Sequence, residues 1–204
     1  MPTDAGTDPL GGATEVVELA ESVVQRAVGG LAKGPGVDVD QVVAYDLAHA
    51  AAAAMTARSM LDYGARGDVE RDLTCAFVAE ALVDLAARVA GREPQWGVEP
   101  GWSVPAAGFL GAFRAPEFLA GLCGQTGPTH LDDDFELVSE TFHRFAKDKV
   151  RPHAEEVHRS NGDVPEDVIG GLAELGGFGL SVPEKYGGFA TGTESDYMGM
   201  VVAT

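Results

Sequence analysis

Apolar residues recur at three- and four-residue spacing along most of this chain, which is the period of helices that bury one face. The first such run starts at Thr14 and ends at Gly29-Gly30, and residues 1–12 before it show no apolar period. We therefore predict a disordered tail over residues 1–12, followed by an all-α chain.

Two longer apolar runs predict an antiparallel helical hairpin over residues 41–90. Asp40 is a candidate N-cap of the first helix, Gly64 and Gly67 interrupt the pattern, and Asp68 can cap the second helix. The interior of the hairpin is rich in alanine, which lets two helices approach closely.

A glycine- and proline-containing break over residues 124–128 predicts a domain boundary near residue 125. We therefore predict a helical extension over residues 13–125 and a second helical domain over residues 126–204.

The second predicted domain begins with an amphipathic helix and ends with an apolar one. Pro152 predicts a kink or restart in the first of these helices. Ser195 is a candidate N-cap of the last helix, whose apolar face is still running at Thr204. The apolar stripe of the first helix consists of Phe135, Val138, Phe142, Phe145 and Val150.

Charge and composition exclude several classes of partner. The chain has 14 basic and 32 acidic residues, a net charge of −18, so its average surface repels nucleic acid and anionic membranes. It has no basic segment followed by an apolar run at its start and no apolar run of the roughly 20 residues that a membrane span needs. Its two cysteines have no partners at metal-ligand spacing. We predict a cytoplasmic protein without a metal site.

Four short segments between residues 142 and 188 carry the most specific motif in the chain. They are Phe142–Glu156 (FHRFAKDKVRPHAEE), Val164-Pro165, Leu172–Gly176 (LAELG) and Val182–Gly188 (VPEKYGG). In this order and spacing they resemble the opening helical domain of acyl-CoA dehydrogenases. The resemblance covers roughly residues 131–204.

That resemblance implies a larger, flavin-dependent parent enzyme. In the family, a β-domain and a C-terminal helical bundle follow this domain and hold FAD between them. The Thr-Glu-Pro and Gly-Ser-Asp runs of the β-domain and the later catalytic glutamate have no counterpart here. We therefore expect an inactive N-terminal fragment, truncated before the β-domain, that binds no FAD alone and has no catalytic, cofactor-binding or metal residue.

The parent reaction implied by the resemblance introduces a 2,3 double bond into a CoA thioester, which is oxidation of a CH–CH group. The parent would use an acyl-CoA substrate and an electron-transfer acceptor, and it would form a homo-oligomer. The extension and the stretch Leu175–Gly188 are similar to the branch that converts (2S)-methylsuccinyl-CoA to mesaconyl-CoA in the ethylmalonyl-CoA pathway. In relatives these helices support the acyl cavity, so Phe178, Leu180 and the helix over Tyr197–Val201 are candidates for its wall.

Two other interpretations are open at this point. The chain could be a freestanding helical interaction module derived from the same domain. A hydrolase that uses His153 or His158 is disfavoured, because no serine or cysteine occurs in a nucleophile-elbow context. We interpret His49 and Glu80 of the hairpin as surface or hydrogen-bonded polar residues.

Overall fold

The structure, a computed structural model, describes residues 8–204 and divides into two compact units between Pro128 and Thr129. The composition break placed this boundary three residues earlier. The described residues contain no β-strand, only an isolated bridge between Pro183 and Ala190. The all-α prediction is confirmed.

Unit 1 (residues up to Pro128) begins with a helix that starts earlier than the apolar pattern indicates. Asp8 is the N-cap, where its carboxylate accepts a hydrogen bond from the Leu10 backbone N–H at 3.2 Å, and Pro9 is the first helical residue. The predicted tail is therefore wrong for residues 9–12, because capping rather than apolar period starts this helix. Residues 1–7 lie outside the described part of the chain. The helices of unit 1 are α1 (Pro9–Lys33), α2 (Gln41–Gly64), α3 (Asp68–Val89), α4 (Ala107–Phe113) and α5 (Pro116–Leu122).

One hydrophobic core holds unit 1 together. Helices α1, α2 and α3 pack against one another, and Trp96, which follows α3, is fully buried. The alanine-rich face of α2 lies against the core, so the backbone of α2 can approach those of α1 and α3 closely. The helix ends within one residue of the predicted break, and Gly64 is its buried last residue. The larger buried side chains of the core are Val17, Val23, Leu47, Val78, Leu82, Leu85 and Val89.

An ion-pair cluster joins the two helices of the hairpin. Asp46 of α2 accepts hydrogen bonds from the guanidinium groups of Arg88 and Arg92, each at 2.8 Å. The Arg92 hydrogen bond, more than any other contact, holds the pKa of Asp46 below its ordinary value. A second pair, Arg58 with Glu21, links α2 to α1 and lowers the pKa of Glu21.

Unit 2 (Thr129–Thr204) contains one long, interrupted helical rod and two shorter helices. The rod consists of α6, a single π-helical turn over Ala146–Val150, and α7. The π turn precedes Pro152, which lacks the N–H of a regular helical bond and crowds the preceding turn. The α-helices of this unit are α6 (Asp133–Phe145), α7 (Arg151–Ser160), α8 (Glu166–Glu174) and α9 (Glu194–Ala203).

Burial in unit 2 differs sharply from burial in unit 1. Among the described side chains of unit 2, Val168 of α8 is the one buried residue. Phe145 is partly covered by α8, where a Cβ added at Gly171 would lie 2.6 Å from the Phe145 ring. Unit 2 therefore has the helices of a domain without a closed core of its own.

Candidate functional site

The residues predicted to line an acyl cavity lie on the uncovered apolar surface of unit 2. Phe178 is 59% exposed in a short 3₁₀ turn, and Tyr197 and Val201 of α9 are 70% and 72% exposed. Leu180 is partly covered. All of these positions are thus available for contact with another surface.

An open hollow of about 570 Å³ lies between the start of α6 and α9. Tyr197, Met198 and Val201 form its α9 side, and Leu131 and Phe135 form its α6 side. Phe178 and Leu180 do not line it. The structure therefore separates the predicted wall residues into two groups, the α9 hollow and the turn that carries Phe178.

Asp196 anchors the start of α9. Its carboxylate accepts hydrogen bonds from the backbone N–H groups of Thr191 (2.9 Å), Gly192 (2.7 Å) and Thr193 (3.1 Å). The bond from Thr191, followed by the others, holds the pKa of Asp196 below its ordinary value. The N-cap is Thr193 rather than the predicted Ser195. Asp196 is the third residue of the helix, and its carboxylate accepts a hydrogen bond from the Thr193 backbone N–H, which forms a capping box.

The glycines around the VPEKYGG motif are used for close packing and turns. Gly176 and Gly187 have φ angles of +77° and +86°, where an L side chain is strained. A Cβ at Gly176 would lie 2.6 Å from the Phe189 ring, and a Cβ at Gly188 would collide with the Val182 carbonyl. These glycines act as backbone turns and points of close packing, as their spacing predicts.

No described basic side chain of unit 2 is buried. Arg159 pairs with Glu155 at 2.8 Å, and the Lys185 ammonium lies 4.9 Å from the centroid of the Tyr186 ring. An anionic group in an apolar cavity needs a buried partner, and the described basic side chains of unit 2 do not supply one. The exposed basic residues are Arg144, Lys147, Lys149, Arg151, Arg159 and Lys185.

The polar residues weighed for other chemistry are dispersed. His153 and His158 are both exposed on α7, and Glu80 pairs with Arg114 at 2.9 Å. His49 is exposed and packs edge-on against Tyr45, with ring centroids 4.6 Å apart. No group of three or more His, Cys, Asp or Glu among residues 8–204 is arranged to hold a metal ion.

Unit 1 contains a cleft that the sequence did not reveal. It measures about 750 Å³ and lies between the first half of α1 and α4, with Phe109 and Phe113 on one side and Val16 and Leu19 on the other. Its two walls are far apart in sequence, so no local pattern could have indicated it. Asp8, Glu15 and Glu18 give its rim a negative charge, which disfavours an anionic ligand such as a CoA ester.

Over residues 8–204, the structure has no helix with the length and apolar character of a transmembrane span.

Comparison with known proteins finds similarity in unit 2. Residues 132–204 match the acyl-CoA dehydrogenase N-terminal domain. A 63-residue stretch is 41% identical to the (2S)-methylsuccinyl-CoA dehydrogenase of Cereibacter sphaeroides and covers 31% of this chain and 12% of that protein. A 58-residue stretch is 38% identical to the Probable acyl-CoA dehydrogenase YngJ of Bacillus subtilis (strain 168), covering 28% of this chain and 15% of that protein. The matched stretches therefore span only about an eighth to a seventh of these relatives.

Proposed function

We propose that this chain, whose residues 132–204 are an acyl-CoA dehydrogenase N-terminal domain, is the N-terminal part of an FAD-dependent acyl-CoA dehydrogenase. The observation that carries the proposal, beside the family match, is the near absence of buried side chains in unit 2. Exposed apolar surface on this scale is typical of a surface that another part of a protein covers.

In the parent enzyme, unit 2 would act as a wall and not as a catalytic group. The α9 hollow presents an aromatic ring, a thioether and an isopropyl group from Tyr197, Met198 and Val201. These groups can exclude water from a neighbouring cavity and offer apolar contact to an acyl chain. Asp196 would hold α9 in place for that role through its backbone hydrogen bonds.

The described residues do not fit FAD. The glycines of residues 176–188 are used in turns and close packing, and no buried cation is present among the described side chains of unit 2 to meet a pyrophosphate. The flavin would accept the hydride from the substrate's β-carbon when it is bound to other parts of the parent enzyme. We therefore expect the 204-residue chain to bind no FAD and to have no dehydrogenase activity.

For the parent's substrate we propose (2S)-methylsuccinyl-CoA, which would be oxidised to mesaconyl-CoA. Support comes from the 41% identity to an enzyme of that name and from the long helical unit that precedes the matched region. The free carboxylate of this substrate needs a buried cationic or hydrogen-bonding partner. Since the described basic residues of unit 2 are all exposed, that partner would lie outside unit 2.

A flavin-binding experiment tests whether the FAD site lies in parts of the parent enzyme outside this chain. The purified chain, mixed with excess FAD and passed through gel filtration, should elute without flavin absorbance. A stoichiometric flavin peak that co-elutes with the chain would contradict the proposal. Butyryl-CoA and methylsuccinyl-CoA should likewise not be oxidised by the chain in the presence of an artificial electron acceptor.

The substrate assignment is tested on the full-length parent enzyme. With an artificial electron acceptor, methylsuccinyl-CoA should be oxidised much faster than butyryl-CoA, because butyryl-CoA has no carboxylate and would leave the partner of that group unpaired. Equal or reversed rates would leave the family assignment intact and reject the narrower substrate.

The alternative function is a freestanding helical interaction module. It is favoured by unit 1, which has a hydrophobic core of its own. An immunoblot of the source cells with an antibody against unit 1 distinguishes the two possibilities. A band at the mass of a full-length dehydrogenase supports the enzyme, and a band only at the mass of the 204-residue chain supports the module.

A further inference from the structure

The cleft between α1 and α4 of unit 1, here called the α1–α4 cleft, has an aromatic wall that is held in place by the core. Phe109 and Phe113 of α4 form this wall, with ring centroids 4.5 Å apart and ring planes inclined at 48°. Both rings also pack against the buried core of unit 1. The volume of the cleft, about 750 Å³, is within the range of about 300–1,000 Å³ that is typical of small-molecule sites.

The first half of α1 supplies the facing wall. A Cβ at Gly12 would lie 3.2 Å from Cδ2 of Phe109, so the lack of a side chain there lets the ring approach the α1 backbone. Val16 and Leu19 follow at four- and three-residue spacing, and they continue the same apolar face. The cleft is therefore a concave apolar site between two packed helices, a shape that fits a small molecule rather than the broad face of another domain.

Carboxylates at the rim give the cleft a preference for charge. Asp8, Glu15 and Glu18 line it, and no lysine or arginine is among its described lining residues. Glu15 forms no ion pair within residues 8–204. Arg58 interacts electrostatically with Glu18 but donates its hydrogen bonds to Glu21. A cation at the rim would thus be attracted by carboxylates that the protein leaves largely uncompensated.

We propose that the α1–α4 cleft binds a small amphipathic cation, a molecule with an aryl or alkyl body and one amine or guanidinium group. The apolar body would displace water from the walls at Phe109, Phe113 and Val16. The charged group would lie at the rim beside Glu15 and Glu18. The described lining residues all belong to unit 1, so failure of this proposal would leave the function proposed for unit 2 unaffected.

Three probes that share one apolar body test the class of ligand. They are 4-phenylbutan-1-amine, the uncharged 4-phenylbutan-1-ol and the anion 4-phenylbutanoate, each titrated into the isotope-labelled 204-residue chain and followed by NMR. The amine should bind with a dissociation constant of about 0.1–1 mM, as expected for a ligand of this size, and should shift amide signals of α1 and α4. The alcohol should bind several-fold more weakly, and the anion at least about tenfold more weakly, because the rim repels it.

Two results of this titration would overturn the proposal. Absence of amine binding up to about 10 mM would reject the site. An anion that binds as tightly as the amine would reject the cationic class of ligand. Sodium chloride should weaken binding of the amine and leave that of the alcohol unchanged, because salt screens the attraction of the rim.

A matched pair of glycine variants locates the binding site. Gly108 and Gly111 both lie on α4 with open space where a Cβ would be, but Gly108 lines the cleft and Gly111 does not. Gly108→Leu should fill the cleft and weaken amine binding at least about tenfold, whereas Gly111→Leu should leave it unchanged. Leucine is a better helix former than glycine, so both variants should fold, which tryptophan fluorescence checks. Equal amine binding by the two variants would place the ligand elsewhere and overturn the proposal.

Removal of the rim charge tests the role of the carboxylates without changing the walls. The double variant Glu15→Gln/Glu18→Gln should bind the amine about as weakly as the alcohol and should bind the anion more tightly than the unmodified chain does. Glu99→Gln/Glu117→Gln is the matched control, because it removes the same charge at two exposed residues outside the cleft. Amine binding that is unchanged in the rim variant would show that the carboxylates do not select the ligand, and would overturn the proposal.

Discussion

Replacing Gly64 by alanine tests how tightly the end of α2 packs against α3. A Cβ at Gly64 would lie 2.8 Å from Oγ1 and 3.0 Å from Cβ of Thr74, and 2.8 Å from Cδ2 of Leu10. The leucine methyl group can move aside cheaply. Thr74 cannot, because it is fully buried and its hydroxyl donates a hydrogen bond to the Met60 carbonyl at 2.9 Å.

Two opposing effects decide the sign of the change in stability. Alanine is favoured over glycine by about 1 kcal/mol within a helix, but Gly64 is the last residue of α2, so only a few tenths of that apply. Overpacking a closed site costs about 1–3 kcal/mol. We therefore expect Gly64→Ala to lower the free energy of unfolding of unit 1 by about 1–2 kcal/mol.

Urea unfolding followed by tryptophan fluorescence measures this change. The chain has two tryptophans, Trp96 and Trp102, and both lie in unit 1, so the signal reports on that unit alone. With a denaturant slope of about 2 kcal/mol per molar urea, the midpoint should fall by roughly 0.5–1 M. Gly29→Ala is the matched control, since its Cβ would meet no atom within 4 Å. That control should raise the midpoint slightly.

A midpoint for Gly64→Ala equal to or above that of the unmodified chain would refute this reasoning. It would mean that Thr74 gives way as easily as Leu10. A double-mutant cycle with Thr74→Ala gives an independent check, because removing the hydroxyl relieves part of the clash. The two substitutions together should then cost less than the sum of their separate costs, by at least about 0.5 kcal/mol.

Three further predictions concern single groups. Burial raises the pKa of the Cys75 thiol to about 11, so a thiol reagent at mildly alkaline pH should titrate one group, Cys123, in the folded chain and two in denaturant. The pKa of Asp46 is lowered from its ordinary 3.8, so its stabilisation is present above that pH and is lost as the pH falls through the folded-state value. Asp46→Asn should therefore cost about 1 kcal/mol at neutral pH and progressively less as the pH falls below 3.8, measured by urea unfolding. Asp196→Ala should remove the anchor of α9, which hydrogen exchange would detect as lost protection in residues 197–200, with Asp163→Ala as an exposed control.

The sequence predicted what depends on local chemistry. Apolar period and chain breakers indicated the helices, and Pro152 indicated the interruption that the structure shows as a π turn. The errors fall at helix starts. Pro9 and Thr193 begin or cap helices through side-chain and backbone hydrogen bonds of Asp8 and Asp196, which leave no trace in the apolar pattern. The family resemblance was likewise local, because its four segments lie within one stretch of chain.

Only the tertiary structure decided which apolar residues are buried. Ala48 and Ala50 are two residues apart in the same alanine-rich helix, yet Ala48 is exposed and Ala50 is 3% exposed. Likewise, Phe135 and Tyr197 have sequence surroundings typical of a core, but the first is only partly covered and the second is 70% exposed. Helical period indicates that a residue lies on an apolar face. Whether another element covers that face depends on contacts between segments distant in the chain, and those contacts are a property of the folded molecule.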